Sequence, residues 1–350
     1  MLPSSPPVTA ARSSHIPSLD GLRAISIFLV LLGHLQYTHG MPEFNLGIGD
    51  FAHLGVVVFF VISGFLITRL LLAEHAKKGR VSLRLFYARR ALRLFPAAFV
   101  FIFCVYLMWR AGVIQMRASD FWHAITYTTN YLPGRSWELG HLWSLSVEEQ
   151  FYLLWPCAFL LLGPRRAIWA AVAAILVGPA ARSASWLFLR GNPYHDVELF
   201  PLVADSLATG CLLAKLSPWL ESQTWYRILF RPVYSWALLG LVLFTNRYMA
   251  YTVVSVFGTS IIHFCLAILI HRSVVCYQDK LGQFLNWPPV VFVGLLSYSL
   301  YLWQQIFLNP HSDAWRNAFP QNILFAITAG LASYFLLEKP LLEFRHRLRV

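Results

Sequence analysis

Long apolar runs, each close to the length needed to cross a lipid bilayer, follow one another along this chain of 350 residues. A membrane-spanning helix needs about 20 predominantly apolar residues, because its backbone polar groups must all be bonded inside the helix. The sequence therefore predicts an all-α polytopic integral membrane protein with about ten transmembrane helices. The ten segments are 22–38, 54–73, 92–110, 142–162, 167–188, 199–216, 232–246, 250–271, 289–308 and 321–337.

The composition excludes the other broad classes of protein. Only 13% of the residues are charged and 57% are hydrophobic, whereas a soluble domain carries about 25% charged residues. On a soluble domain, 27 Phe and 13 Trp would leave large apolar patches exposed. The same numbers exclude a disordered chain. The aromatic segment 119–132 is too short and too polar to span, so we expect it to be interfacial or re-entrant.

The distribution of Lys and Arg predicts the orientation in the membrane. With the N-terminus in the cytoplasm, 21 of the 28 basic residues fall on the cytoplasmic side and 7 on the other. Cytoplasmic loops are enriched in basic residues, so the N- and C-termini are both predicted to be cytoplasmic. The resulting organisation is a polar tail over 1–17, a transmembrane domain over 18–340 and a basic tail over 341–350.

These loops also account for the net charge of +12, so we expect a lipid bilayer and no nucleic acid as partner.

Residues 1–17 have no apolar core, so no signal peptide is expected there. The five cysteines form no Cys-x-x-Cys pair, and we expect neither a disulfide framework nor a metal site. The oligomeric state is left open.

Arg23 and His34 stand eleven residues apart in the first span. At 100° per residue they share one helix face, separated by about 16 Å along the axis. One interpretation is an arginine that reaches the membrane surface and a histidine that is hydrogen-bonded in the core. The other is that His34 takes a proton from a hydroxyl group as a general base, while Arg23 acts in positioning.

A basic segment follows the second span, with Arg90 and Arg93 on one helix face and Arg89 beside them. One interpretation is a topological anchor that contacts lipid phosphates. The other is an anion site, because guanidinium groups bind phosphate through two parallel hydrogen bonds and two of them suit a pyrophosphate or nucleotide phosphate.

The fourth span begins with polar residues. On an ideal helix His141, Ser144 and Glu148 share a face, and Glu149 points about 100° away. One interpretation of these residues is a polar pocket that contains Glu148. The other is a polar start of the helix that faces water.

Three other features lie inside or beside apolar runs. Asp205 is expected either to pair with a cation or to line a pocket. Tyr298 belongs to a polar stripe with Ser297, Tyr301, Gln304 and Gln305, a pattern typical of inter-helix hydrogen bonds as well as of substrate contacts. The Ser63-Gly64 pair predicts close helix packing.

Several motifs then occur in a specific order along residues 18–345: SLDGLRAISIFLVLLGHL, GVVVFFVISGFLI, FYARRALRLFP, HLWSLSVEEQFYLLWP, SYSLYLWQQ and LEKPLLEFR. In this order they resemble the acyltransferase 3 family of membrane-bound O-acyltransferases, which modify bacterial glycans, lipopolysaccharide and some macrolides. The resemblance implies ten membrane helices and an acyl-coenzyme A donor.

The resemblance also implies roles for particular residues. The family's motif of Arg or Lys, ten residues and His falls on Arg23 and His34, and its Arg-x-x-Arg motif falls on Arg90 and Arg93. The Trp-Ser-Leu-Ser-x-Glu block covers 143–148 and so includes Ser144, Ser146 and Glu148. Many sugar-modifying members carry Trp-His where this chain has Trp303-Gln304, which weakens a polysaccharide assignment. The sequence ends at Val350, and no fused SGNH-type domain is expected.

The sequence thus predicts an O-acyltransferase of the bacterial inner membrane. It would move an acyl group, taken to be acetyl, from acyl-coenzyme A to a hydroxyl of a glycan, a lipid-linked sugar or a small metabolite. The predicted catalytic residues are His34, Arg23 and Glu148, and the predicted donor-binding residues are Arg89, Arg90 and Arg93. The predicted acceptor pocket contains His141, Ser144, Ser146, Asp205 and Tyr298. The alternative is a transporter of an acylated metabolite or sugar lipid, which would perform no chemistry.

Overall fold

The structure is a computed structural model that describes residues 16–42, 50–192, 198–248 and 254–347. Outside these ranges lie residues 1–15 of the predicted N-terminal tail, the first residues of the predicted span 250–271 and the last three residues of the predicted C-terminal tail. The described part is helical and contains no strand.

Fourteen α-helices make up most of the described chain. They are α1 (Pro17–Leu35), α2 (Phe51–Lys78), α3 (Leu83–Arg110), α4 (Ala118–Ile125), α5 (Trp137–Gly140), α6 (Leu142–Phe188), α7 (Phe200–Ser222), α8 (Thr224–Ile228), α9 (Pro232–Arg247), α10 (Thr259–Val275), α11 (Lys280–Leu285), α12 (Pro288–Phe307), α13 (Gln321–Ser333) and α14 (Lys339–Arg347). Two short π-helical segments, Val254–Gly258 and Tyr334–Glu338, precede α10 and α14.

Eight helical stretches of the described chain are long and apolar enough to cross a membrane, and the prediction of an all-α membrane protein is confirmed. One of them, which contains α6, is interrupted at Gly163, whose φ of 75° and ψ of 162° are not helical. Trp155 and Ala171, eight residues before and after this glycine, line the same small cavity. A continuous helix would hold them about 24 Å apart, so the chain reverses at Gly163.

Small residues bring the helices into close contact. A Cβ atom on Gly64 of α2 would lie 1.9 Å from the carbonyl oxygen of Leu207 in α7, and one on Gly210 of α7 would lie 2.2 Å from that of Val61. The backbones of α2 and α7 therefore touch from both sides, as is common where membrane helices pack. The close packing predicted at Gly64 is confirmed.

The order of contacts defines two ends of the helix bundle. Gly33, near the end of α1, packs against Ala52 at the start of α2, so the two helices run in opposite directions. We call this the His34 end. The opposite end, where α1 begins and the turn between α2 and α3 lies, is called the Arg90 end.

Candidate active site

His34 is the last residue but one of α1. Its side chain contacts α5 and α12. Its Nδ1 is 2.9 Å from Oε1 of Gln304. Because an amide oxygen only accepts hydrogen bonds, Nδ1 carries the proton and donates it to this contact. Nε2 then holds the free electron pair, and it has no hydrogen-bond partner among the described residues. This is the protonation pattern that a general base requires.

Trp137 forms the wall beside this histidine. The ring centroids of Trp137 and His34 are 5.5 Å apart in an edge-to-face arrangement. The indole N–H of Trp137 donates to the backbone carbonyl of Gln305 over 3.0 Å, which fixes the ring. Adjacent residues of α12, Gln304 and Gln305, therefore hold both His34 and Trp137.

His141 lies beside this group but is bound into protein contacts. It precedes α6, is 3% exposed, and its Nε2 lies 3.0 Å from the carbonyl of Leu302, to which it donates. The Ser144 and Tyr301 hydroxyls are hydrogen-bonded to each other, and each lies within hydrogen-bonding distance of the His141 carbonyl, so one donates to the other and the second donates to the carbonyl. The inter-helix bonding predicted for the polar stripe on α12 is confirmed for Tyr301, Gln304 and Gln305.

Glu148 belongs to a different cluster. Its carboxylate accepts hydrogen bonds from the hydroxyls of Ser63 in α2 and Tyr152 in α6. The guanidinium carbon of Arg90 lies 3.5 Å from the centroid of the Tyr152 ring, and Arg90 also acts electrostatically on Glu149. The structure differs here from the pocket expected with His141 and Ser144. His141 and Ser144 contact α12, whereas Glu148 contacts α2.

The other two predicted donor residues lie on the same turns of α3. Arg93 is exposed and acts electrostatically on Glu338. Glu338 is a buried residue of the second π-helical segment, and its carboxylate accepts a hydrogen bond from Ser299. Arg89 is half-buried, and its Nε is a buried donor with no partner among the residues that the structure describes. Tyr298 donates to the carbonyl of Leu94 over 2.6 Å. The Arg90 end thus gathers arginines and glutamates from three parts of the chain.

The remaining predicted residues lie apart from both groups. Arg23 pairs with Asp20 over 3.1 Å in the first turn of α1, toward the Arg90 end. Ser146 donates to the carbonyl of Leu142 and accepts from the backbone N–H of Thr129, which are structural contacts.

Asp205 is fully buried in a third cluster. Its Oδ2 is 2.9 Å from Nη2 of Arg182 and 3.4 Å from Nδ1 of His263. Of the two alternatives for Asp205, pairing with a cation is confirmed, and its place in an acceptor pocket stays a prediction. No group of residues suited to a metal ion occurs within the described ranges.

The two main groups lie at different depths. Ser63 follows Ala52 by eleven residues along α2, and Ala52 marks the level of Gly33, next to His34. The Glu148 cluster therefore lies about 16 Å from the level of His34. An ionic region and a histidine region, joined by helices α1 and α2, are consistent with a long substrate whose charged and reactive parts are far apart.

Comparison with known proteins assigns the chain to a family. A family model described as "Acyltransferase domain" (Acyl_transf_3) matches residues 16–337. The chain belongs to the acyltransferase 3 family. Residues 16–337 therefore form an acyltransferase domain of the membrane-bound type, with His34 and the arginines of α3 inside the matched range.

Several curated proteins are similar to this acyltransferase. YrhL of Bacillus subtilis is 33% identical over 93% of this chain and 55% of its own length. The peptidoglycan O-acetyltransferase OatA of Listeria monocytogenes is 28% identical over 93% of the chain and 54% of its own length. The O-acetyltransferase OatA of Staphylococcus aureus (strain NCTC 8325) is 30% identical over 85% and 52%. The chain thus spans about half the length of these relatives. No solved structure matches it significantly.

Sequence reasoning missed the parts played by Gln304 and Trp137. The sequence placed Gln304 in a polar stripe and marked it as a departure from the family's Trp-His pair, but it did not indicate that Gln304 is the partner of the His34 ring. Trp137 follows a Pro-Gly-containing loop and resembles an interfacial aromatic residue. No periodicity in the sequence connects it with a histidine about a hundred residues earlier.

Proposed function

We propose that this protein is a membrane-bound O-acetyltransferase that moves an acetyl group from acetyl-coenzyme A to a hydroxyl of a glycan. The observation that carries the proposal is the state of His34, whose Nδ1 is held by Gln304 and whose Nε2 has no hydrogen-bond partner in the part of the chain that the structure describes. In the proposed reaction, Nε2 takes the proton of the acceptor hydroxyl as its oxygen attacks the thioester carbonyl. The carbon–sulfur bond then breaks, and the leaving thiolate takes up a proton to give free coenzyme A.

The arginines of α3 are the proposed donor site. Coenzyme A carries several phosphate groups, and Arg90 presents its guanidinium group on the face of Tyr152. Arg93 follows one turn later and is exposed. Guanidinium groups on successive turns suit phosphates better than lysines would, because each offers a planar pair of donors. The phosphates would remain at the Arg90 end while the pantetheine arm carries the thioester towards His34.

A glycan is the acceptor class that the relatives favour. The OatA proteins of Listeria monocytogenes and Staphylococcus aureus are named as O-acetyltransferases, and the former is named for peptidoglycan. The replacement of the family's histidine by Gln304 does not argue against a glycan, because an amide at this position still orients His34.

We also propose ten membrane crossings with both termini in the cytoplasm. The reversal at Gly163 divides the long α6 stretch into two crossings, and α9 adds another apolar helix of 16 residues. With this orientation most Lys and Arg residues are cytoplasmic. The Arg90 end then faces the cytoplasm, where acetyl-coenzyme A is made, and the protein would belong to a bacterial inner membrane.

The experiment is an assay of free thiol release by the purified protein in lipid nanodiscs. With acetyl-coenzyme A present, we expect release to depend on an added glycan oligosaccharide. His34→Ala should lower this turnover by about 100-fold or more, which is the usual contribution of a general base. His39→Ala, which removes an exposed imidazole near the same end, is the matched control and should keep normal activity. Absence of glycan-dependent thiol release would contradict the proposal and favour a transporter.

A further inference from the structure

A cavity of about 390 Å³ opens at the His34 end of the bundle. The end of α3, the start of α5 and the segment that follows α12 surround it. Its volume falls within the range of small-molecule sites, about 300–1,000 Å³. None of the residues predicted from the sequence to bind the donor or the acceptor lines this cavity.

Trp137 connects the cavity with the proposed base. It lines the cavity, and its ring centroid lies 5.5 Å from that of His34 on one side and 5.4 Å from that of His311 on another. The side chain of Trp137 therefore touches both the cavity and the His34 ring.

Polar side chains supply the rest of the lining. The buried carboxylate of Glu138 accepts a hydrogen bond from the amide of Asn309 over 3.1 Å. The side-chain oxygen of Asn309 in turn accepts a hydrogen bond from the backbone N–H of His311 over 2.8 Å. Arg316 is half-buried at the cavity and forms no ion pair with any residue that the structure describes. Acceptors and donors thus surround a single aromatic surface.

We propose that this cavity binds the acceptor saccharide, with a pyranose ring stacked on Trp137. A pyranose has an apolar C–H face that suits an indole, and hydroxyl groups around its edge that both donate and accept hydrogen bonds. Glu138 would accept from these hydroxyls, while His311 and Arg316 would donate to the sugar oxygens. This inference rests on the proposed function, because it takes the acceptor to be a glycan. The arginines proposed to bind the donor phosphates lie at the Arg90 end, and none of them lines this cavity.

The test separates acceptor binding from donor binding by steady-state kinetics, with chitotetraose as the saccharide probe. Arg316→Gln and His311→Ala should each raise the KM for chitotetraose about tenfold, the effect of losing one good hydrogen bond. The KM for acetyl-coenzyme A should stay within about twofold of the wild-type value. Trp137→Phe should retain more saccharide affinity than Trp137→Ala, since a flat ring remains. Trp122→Ala, which removes a 61% exposed indole of α4 outside the cavity, is the control.

A binding measurement without turnover distinguishes failure of this inference from failure of the proposed function. Chitotetraose should raise the unfolding temperature of the His34→Ala protein, and should raise it much less when Arg316→Gln is added. If His34→Ala still transfers acetyl groups, the proposed function fails while the binding result stands. Two results would show that the cavity is not the acceptor site. One is that chitotetraose stabilises His34→Ala with and without Arg316→Gln equally, or stabilises neither. The other is that the KM for chitotetraose is unchanged in both Arg316→Gln and His311→Ala.

Discussion

An imidazole that donates through one nitrogen presents the other nitrogen as a base, and in this protein a single amide selects between the two. The Oε1 atom of Gln304 accepts from Nδ1 of His34, so the neutral ring is held as the tautomer with a lone pair on Nε2. The same contact fixes the plane of the ring against Trp137. Gln304 therefore acts through His34 as a positioning residue and does not need to touch either substrate.

The first prediction concerns this amide. Gln304→Leu removes the acceptor and should lower kcat by about 10- to 100-fold, because the ring is then free to adopt the wrong tautomer or rotamer. The KM for acetyl-coenzyme A should not change. Gln304→Glu keeps an oxygen acceptor facing Nδ1 and should retain more activity than Gln304→Leu. Equal kcat values for Gln304→Leu and the wild type would mean that the rest of the pocket orients His34.

The second prediction concerns the arginines of α3. Arg90→Ala should raise the KM for acetyl-coenzyme A by about 10- to 150-fold, as expected for the loss of a charge-assisted phosphate contact. Arg93→Lys should recover only part of the affinity lost in Arg93→Ala, because lysine offers a point charge in place of a planar pair of donors. Arg84→Ala, on the exposed first turn of α3, is the control. If the Arg90 and Arg93 variants match the control, the basic segment only anchors the topology.

At the scale of elements, the contact between α2 and α7 depends on two glycines that let the backbones touch. The third prediction is that Gly64→Ala lowers the stability of the protein in detergent by about 1–3 kcal/mol, since the new methyl group would overlap the carbonyl of Leu207. Gly240→Ala is the matched control, because a Cβ there meets no atom within 4 Å. Thermal unfolding followed by circular dichroism measures both. Equal unfolding temperatures for the two variants would contradict the tight packing of α2 on α7.

Much of the fold could be predicted from sequence because a membrane-spanning helix is identified by its own composition. Each apolar run satisfies its backbone hydrogen bonds internally, so no knowledge of neighbouring helices is required. The aromatic segment 119–132 was rightly separated from the spans, and it forms the short helix α4 and a 3-10 turn. The contact partners of individual polar side chains could not be predicted in this way. Asp205 was expected either to pair with a cation or to line a pocket, and nothing in the sequence indicated Arg182.

The candidate site could be predicted only where its geometry is local to one helix. Arg23 and His34 lie on the same helix, and the structure keeps them far apart along it, as the spacing predicts. For Glu148 the same reasoning predicted a shared face with His141 and Ser144, which in the structure contact α12. Of the two hydrogen-bond donors to Glu148, Tyr152 lies four residues later on the same helix, whereas Ser63 comes from another helix. Periodicity predicts which residues share a helix face, but not which residues of other helices pack against that face.

At the scale of the whole molecule, the site is polarised along the bundle axis. The arginines lie at one end, and His34 lies with the cavity behind Trp137 at the other. If the bundle crosses the membrane as proposed, donor and acceptor approach from opposite sides. The fourth prediction is that transfer is vectorial. Sealed inverted inner-membrane vesicles, loaded with chitotetraose and given acetyl-coenzyme A outside, should form acetylated saccharide in the lumen.

Neither the charged donor nor the polar saccharide crosses a sealed bilayer unaided, so each arrangement tests one side of the protein. Right-side-out vesicles with acetyl-coenzyme A outside and chitotetraose inside should form no product, because both substrates then meet the wrong end. Inverted vesicles with both substrates outside should also be inactive, and detergent should restore product formation in both cases. His34→Ala vesicles provide the background. Product from inverted vesicles whose lumen lacks saccharide would show that the acceptor reaches His34 from the cytoplasm, and the assignment of the two ends would have to be reversed or abandoned.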